Sequence, residues 1–282
     1  MTRTGAHHVD DEMGTAPLQA VDATIGYDQR VISEGLSLDI PAGSFTVIVG
    51  PNACGKSTLL RALARLLRPS AGTVLLDGKS IAAYRSKEVA RRLGLLPQTA
   101  QAPEGIRVGE LVARGRYPHQ RLVRQWSHDD EEAVEAAMAA TGVSDLSARP
   151  VEELSGGQRQ RVWVAMALAQ QTDLLLLDEP TTFLDIAHQL ELMELFARLH
   201  RRGHTLVAVL HDLGHAARYA THVVAMRDGA VVAAGPPQEV ITADLIEQVF
   251  GLRALVVPDP VTRTPMVVPL RPEGVADEPD PR

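Results

Sequence analysis

The sequence predicts an α/β domain on a mainly parallel sheet, with antiparallel β strands and an inserted helical subdomain. Three observations carry this. Short apolar runs of strand length alternate with longer segments of helical period. One run, residues 174–177, is four consecutive leucines, which suits a parallel strand covered on both faces. Residues 45–49 form a short apolar strand that ends at a glycine turn and leads into a helix. The chain has 282 residues, 45% hydrophobic and 22% charged, enough to bury a sizeable core.

The elements follow in order. Residues 18–27 and 36–40 read as β runs, and 45–49 as the apolar strand. Residues 57–67 read as a helix that Pro69 stops. Strand 73–76 ends at Asp77-Gly78. Residues 108–115, 129–140 and 158–170 read as helices, so the stretch after Pro97 is helix-rich. Beyond the leucine strand come helix 186–202, strand 205–210 and helix 212–220. Strands 223–226 and 231–233 form a hairpin around Asp228-Gly229. Residues 1–17 lack hydrophobic periodicity and read as a tail. After Val257, seven of the 18 prolines crowd into the last residues, which bars a long helix or a central strand. The acidic end from Glu273 reads as disordered. The expected division is a tail at 1–17, one domain at 18–257 with a helical subdomain at about 99–170, and a Pro-rich tail at 258–282.

Composition narrows the function. A net charge of −7 argues against wholesale binding to nucleic acid or anionic lipid. No apolar run approaches the ~20 residues that span a bilayer, and the first 17 residues lack a signal-peptide apolar core. The expectation is a cytoplasmic chain that forms no pore itself. The single cysteine, Cys54, rules out an internal disulfide framework or a cysteine-cluster metal site. The ten histidines show no tight metal-ligand spacing, and His7-His8 lies in the tail. Of 28 basic residues only Lys56, Lys79 and Lys87 are lysine, which makes a functional lysine easy to find.

Gly50-Pro51-Asn52-Ala53-Cys54-Gly55-Lys56-Ser57, followed by Thr58, fits the phosphate-loop pattern G-x-x-x-x-G-K-[ST]. Its glycines let successive backbone N–H groups face one anion, and the helix start adds partial positive charge. Lys56 is placed to bridge β- and γ-phosphates and Ser57 to ligate Mg²⁺. Cys54 reads either as a small space-filler or as a reactive thiol beside positive charge. The leucine strand ends in Asp178-Glu179, the Walker B pattern. Asp178 is the candidate Mg²⁺ holder through water and Glu179 the candidate general base. Leu154-Ser155-Gly156-Gly157-Gln158 opens a helix and offers a second anion site.

Leu154 to Gln158 resembles the signature sequence of the ATP-binding cassette (ABC) ATPases, and the order of motifs from about residue 18 to 235 is that family's too. The resemblance implies a P-loop cassette that binds ATP and Mg²⁺. It implies further roles, position by position. Tyr27 matches the aromatic that stacks on adenine. Gln98 matches the glutamine that meets Mg²⁺ and couples to a membrane partner. Asp185 matches the aspartate that crosses the dimer interface. His211 matches the histidine that orients γ-phosphate and water. In such a family Ser155 faces the phosphate loop of a second copy, so two chains sandwich two ATPs, and the chain carries one set of motifs only.

The absence of a second cassette and of a long heptad insertion is similar to stand-alone importer cassettes that recruit separate permeases. Gly115-Arg116-Tyr117-Pro118-His119, the run from Thr181 to Gln189, and residues 229–242 look like the ferric-siderophore importer branch. Arg116–His119 reads equally as a helix terminus or a permease-docking edge. The implied partners are integral-membrane permease subunits, a second copy of the chain and, indirectly, an extracytoplasmic substrate-binding protein, with no nucleic acid. The implied place is the cytoplasmic face of the membrane. Haem or cobalamin import, and a soluble non-transport cassette ATPase, are the alternatives.

Overall fold

A computed structural model describes residues 16–28, 30–98, 101–120, 126–182 and 184–270. Expectations for residues 1–15, Phe183 and 271–282, including Glu273 onward, lie outside the described residues.

The strands are β1 (Leu18–Tyr27), β2 (Arg30–Ile40), β3 (Phe45–Val49), β4 (Ala71–Leu76), β5 (Lys79–Ser80), β6 (Leu93–Leu96), β7 (Leu174–Asp178), β8 (Thr205–Val209), β9 (His222–Arg227), β10 (Ala230–Gly235), β11 (Ala254–Pro258) and β12 (Pro265–Pro269). The helices are α1 (Lys56–Leu63), α2 (Ser86–Ala90), α3 (Val108–Ala113), α4 (His128–Thr141), α5 (Gly156–Ala169), α6 (Ile186–Arg201), α7 (Leu213–Tyr219), α8 (Pro237–Val240) and α9 (Ala243–Phe250).

The central sheet runs β10-β9-β3-β8-β7-β6. Its pairs are parallel except for the β9–β10 hairpin. Leu175 and Leu177 join an apolar cluster on one face, while Leu174 and Leu176 join the cluster on the other. Period-two alternation thus puts every leucine of β7 into a core, as an all-apolar strand requires. One cluster holds α5 and α6, with Phe196 fully buried. The other is a layer in which α1 lies between the central sheet and an antiparallel sheet ordered β2-β1-β4-β5. Helices α3, α4 and α5 pack together as the inserted helical region.

Several elements differ from expectation for local reasons. Helix α1 ends at Leu63 instead of 67, because Arg65 adopts φ +62 and the Leu66 N–H turns back to the Arg61 carbonyl at 2.8 Å. Strand β2 begins at Arg30, well before residue 36. Its β1 partner register shifts three times, and Gly35 sits at φ +59, so the alternation is broken along it. Helix α5 starts two residues earlier than expected, with Ser155 as its cap. The elements β5, α2 and α8 are too short to leave a readable period, whereas α9, with Leu245, Ile246 and Val249 on its buried face, carries one that the sequence reading did not use. Part of the Pro-rich end is folded: β11 and β12 pair in unbroken antiparallel register. The strand β12 rests on α7, with Val267 against the main core. Its prolines stand at the two ends of the strand, where ladder donors matter least.

Arg116 is buried, and its Nε donates to Asp130 at 2.8 Å. Its guanidinium also donates to the Ala169 carbonyl and to Gln171 Oε1, both at 2.8 Å. His119 Nε2 meets the Gln170 carbonyl at 2.8 Å. These two side chains of the 115–119 run therefore tie the ends of α3, α4 and α5, while Tyr117 stays exposed with Lys87 Nζ 4.7 Å from its ring centre.

Candidate functional site

The loop between β3 and α1 is shaped by close approach. A Cβ on Gly50 would lie 2.2 Å from the Met226 carbonyl oxygen, and Gly55 sits at φ +106. Only glycine fits both positions. The loop and the first turn of α1 wall a cleft of about 240 Å³, lined also by Arg30, Ile32, Glu179 and His211. Lys56 is buried, and its Nζ donates to the Gly50 carbonyl at 2.9 Å and the Pro51 carbonyl at 2.8 Å. An ammonium has three donors, so one remains for the cleft. Cys54 is buried, and burial pushes its thiol up despite the nearby Lys56 charge. That favours the space-filling reading over a thiolate nucleophile.

Across the cleft, β7 ends in Asp178 and Glu179. The buried Asp178 carboxylate accepts from Ser57 Oγ at 2.8 Å, and burial pushes this carboxyl up against the pull of that bond. Glu179 adopts φ +50. A left-handed non-glycine residue is strained, and such residues concentrate at functional sites. The turn sends its carboxylate into a polar cage. Its Oε1 meets His211 Nε2 at 2.7 Å, and its Oε2 accepts from Gln98 Nε2 at 2.6 Å and Thr182 Oγ1 at 3.3 Å. Three separate segments thus converge on one carboxylate: the end of β6, the end of β7 and the end of β8. They lie at the C-terminal edge of a parallel sheet, where α/β sites form.

Ser57 Oγ and Asp178 are hard oxygen donors that already meet, which fits an ion such as Mg²⁺ that takes few protein ligands and keeps water. Among the described residues no group of three or more His, Cys, Asp or Glu could hold a metal, so a dedicated all-protein cage is not what this site offers.

Not every predicted residue meets at this cleft. Tyr27 ends β1 outside the lining, half-exposed, with its hydroxyl accepting from Arg61 at 3.0 Å. Ser155, Gly156, Gly157 and Gln158 line no part of it. Instead they form a capping box. Ser155 Oγ accepts the Gln158 N–H at 3.2 Å and the Ser155 N–H donates to Gln158 Oε1 at 3.1 Å. Asp185 caps α6, accepting the His188 N–H at 2.9 Å, and that N–H holds its carboxyl below the usual range. Arg30, Ile32 and Thr182 are site residues that sequence reasoning missed. Thr182 alone had a signal, since it follows Glu179 by three residues.

A phosphate loop at one parallel strand, and a caged carboxylate at the next but one, define a P-loop nucleotide-binding protein. The chain belongs to the ABC transporter family, whose model matches residues 33–182. It is 57% identical to the ferric enterobactin transport ATP-binding protein of Escherichia coli (strain K12), over 90% of this chain and 94% of that one. It is 49% identical to the iron(3+)-hydroxamate import ATP-binding protein of Bacillus subtilis (strain 168), over 86% and 90%. Among solved structures it resembles the dimeric structure of the bacterial ABC transporter cassette MJ0796, with TM-score 0.69, 25% identity, and coverage of 78% of this chain and 98% of that one. No helix among the described residues is long and apolar enough to cross a membrane.

Proposed function

We propose that the chain is the ATP-hydrolysing subunit of a binding-protein-dependent importer for ferric siderophores, and that it works as a pair on the cytoplasmic face of the membrane. The observation that carries the reading is the Glu179 carboxylate, held between Gln98 and His211 across the cleft from Lys56.

The loop N–H groups from Gly50 to Thr58 and the Lys56 ammonium bind the triphosphate, and Tyr27 stacks on the adenine. Ser57, Asp178 and Gln98 would hold Mg²⁺, which when bound offsets charge on the β- and γ-oxygens. Glu179 takes a proton from water as that oxygen bonds to the γ-phosphorus. The bond from phosphorus to the bridging oxygen breaks, and ADP leaves with the electron pair. His211 and Gln98 hold the Glu179 carboxylate in line.

The second anion site lies outside the chain's own cleft, so it serves the ATP of a second copy. Ser155, Gly156, Gly157, Gln158 and Asp185 supply that trans half. Closure on ATP and opening after hydrolysis then drive separate permease subunits fed by an extracytoplasmic binding protein. Two relatives whose names carry ferric chelates support the cargo class. The test is a deletion strain lacking this chain and grown on ferric siderophores as sole iron source. Growth should fail and return with the wild-type chain but not with Glu179→Gln. Unchanged growth on every ferric siderophore, with loss on haem or cobalamin, would overturn the cargo assignment.

A further inference from the structure

The signature turn and the Asp185 loop are separated along the chain by α5 and β7, yet they touch through one side chain. His188 lies in the first turn of α6, and its Nδ1 donates to Asp185 Oδ1 at 2.7 Å. The same carboxylate oxygen accepts the His188 backbone N–H, so the residue is held to Asp185 by both its ring and its backbone. Beneath the ring lies Gly157 of the signature. A Cβ there would stand 2.8 Å from His188 Cδ2 and 3.0 Å from Cγ. Real Cβ atoms essentially never approach that closely, and Gly156 beside it has nothing within 4 Å. The need for glycine at 157 is therefore set by the His188 ring and not by φ.

Two further contacts run along the same seam. Gln160 Nε2 donates to the Pro180 carbonyl at 2.9 Å, and Arg161 meets Glu191 at 3.3 Å. Together they lay the start of α5 along the segment that carries Glu179 at one end and His188 at the other. Ile186, next to Asp185, is 84% exposed in the single chain. An apolar side chain so placed suits a surface that a second copy covers.

We propose that His188 is a positioning residue that locks the signature turn to the Asp185 loop. Each chain then presents both trans elements to the partner's nucleotide as one rigid unit. This rests on the ATP-sandwich reading above, because the two elements act together only across a dimer. Without the ring, Ser155–Gln158 and Asp185 reach the partner independently and the closed pair weakens.

The experiment measures ATP-dependent dimerisation in a Glu179→Gln background by light scattering, with fluorescent-ATP binding to the monomer alongside. Adding His188→Ala should weaken the dimer by about tenfold or more, the scale of a lost charge-assisted hydrogen bond. Nucleotide affinity of the monomer should stay the same, and kcat of the otherwise wild-type chain should fall with little change in KM. His188→Asn, which keeps a donor for Asp185, should recover part of the loss. Gly157→Ala should abolish dimerisation with His188 in place, and His188→Ala should restore part of it by clearing the clash. Wild-type dimer affinity in His188→Ala, or no rescue of Gly157→Ala, would overturn the proposal while leaving the sandwich intact. A Glu179→Gln parent that stays monomeric with ATP removes the sandwich itself, and this inference with it. Circular dichroism of each variant separates these outcomes from misfolding.

Discussion

Lys56 is only 4% exposed, yet among the described residues no carboxylate lies within ion-pair distance of it. A buried cation needs compensation. Here it comes from two loop carbonyls, which carry partial charge and leave the net positive charge for an anion. The neighbouring Asp178 is used by Ser57 instead. Lys56→Ala therefore removes the phosphate loop's own positive charge without leaving an unpaired carboxylate. ATP hydrolysis should fall by at least about a hundredfold, the scale for losing one electrostatic contact to the transition state. Phosphate release measured on folded protein checks this, and near-normal turnover would sink the site. Glu179 is the opposite case: its carboxylate has three partners, Gln98, His211 and Thr182, which leaves acceptor capacity for one further donor such as water. The two motifs were readable because each is a contiguous run tied to a strand end. Gln98 and His211 were reached by resemblance, and Arg30 was not reached, because β2 carries too little alternation to be seen that early.

At the scale of elements, the ends of α3, α4 and α5 meet on the buried Arg116–Asp130 pair. Burial alone would push the Asp130 carboxyl up, but the Arg116 guanidinium and the Ser127 donors outweigh it and hold the carboxyl below the usual range. Asp130→Ala would leave the Arg116 cation buried without its counter-charge. Stability should drop by about 3–5 kcal/mol, read from urea midpoints. The sign of the pH effect follows from the lowered value. The pair's contribution is present above about pH 4 and is lost as pH falls through the folded value. Between pH 6 and 3 the wild type should lose urea resistance more steeply than Asp130→Asn, whose amide does not titrate. Parallel curves would refute it. The sequence reading left Arg116–His119 open between a helix end and a docking edge. No local pattern says whether an arginine is buried, since its partners sit 14 and more residues away.

At the scale of the molecule, the phosphate loop and the signature turn do not share one cleft. The signature residues are absent from the cleft lined by the phosphate loop. If the second half of each site comes from another copy, blocking hydrolysis should trap the pair. Glu179→Gln with ATP and Mg²⁺ should elute as a dimer in size exclusion and revert to monomer when ATP is removed, whereas monomer throughout would count against it. The C-terminal hairpin is a second matter of scale. β12 covers α7, and Val267 reaches the core. A chain ending at Pro258 should melt lower by at least about 4 °C, roughly 1–2 kcal/mol for a domain of this size. An unchanged melting temperature would mark the segment as a dispensable tail.

The sequence by itself determined the fold class, the phosphate loop and the paired carboxylates. All three are local: a period of two, a glycine spacing, an apolar strand with its terminal charge. Only the tertiary structure decided that Gln98, Thr182 and His211 meet on the Glu179 carboxylate, and that Ser155 lines no part of the cleft at its own phosphate loop. It also decided why Gly157 must be glycine, for its backbone angle asks nothing and the His188 ring, 31 residues on, takes the space. The physical reason is the same in each case. Sequence pattern reports what a residue does to its neighbours along the chain, while these contacts join segments that meet only when parallel strands from distant parts of the chain come into register.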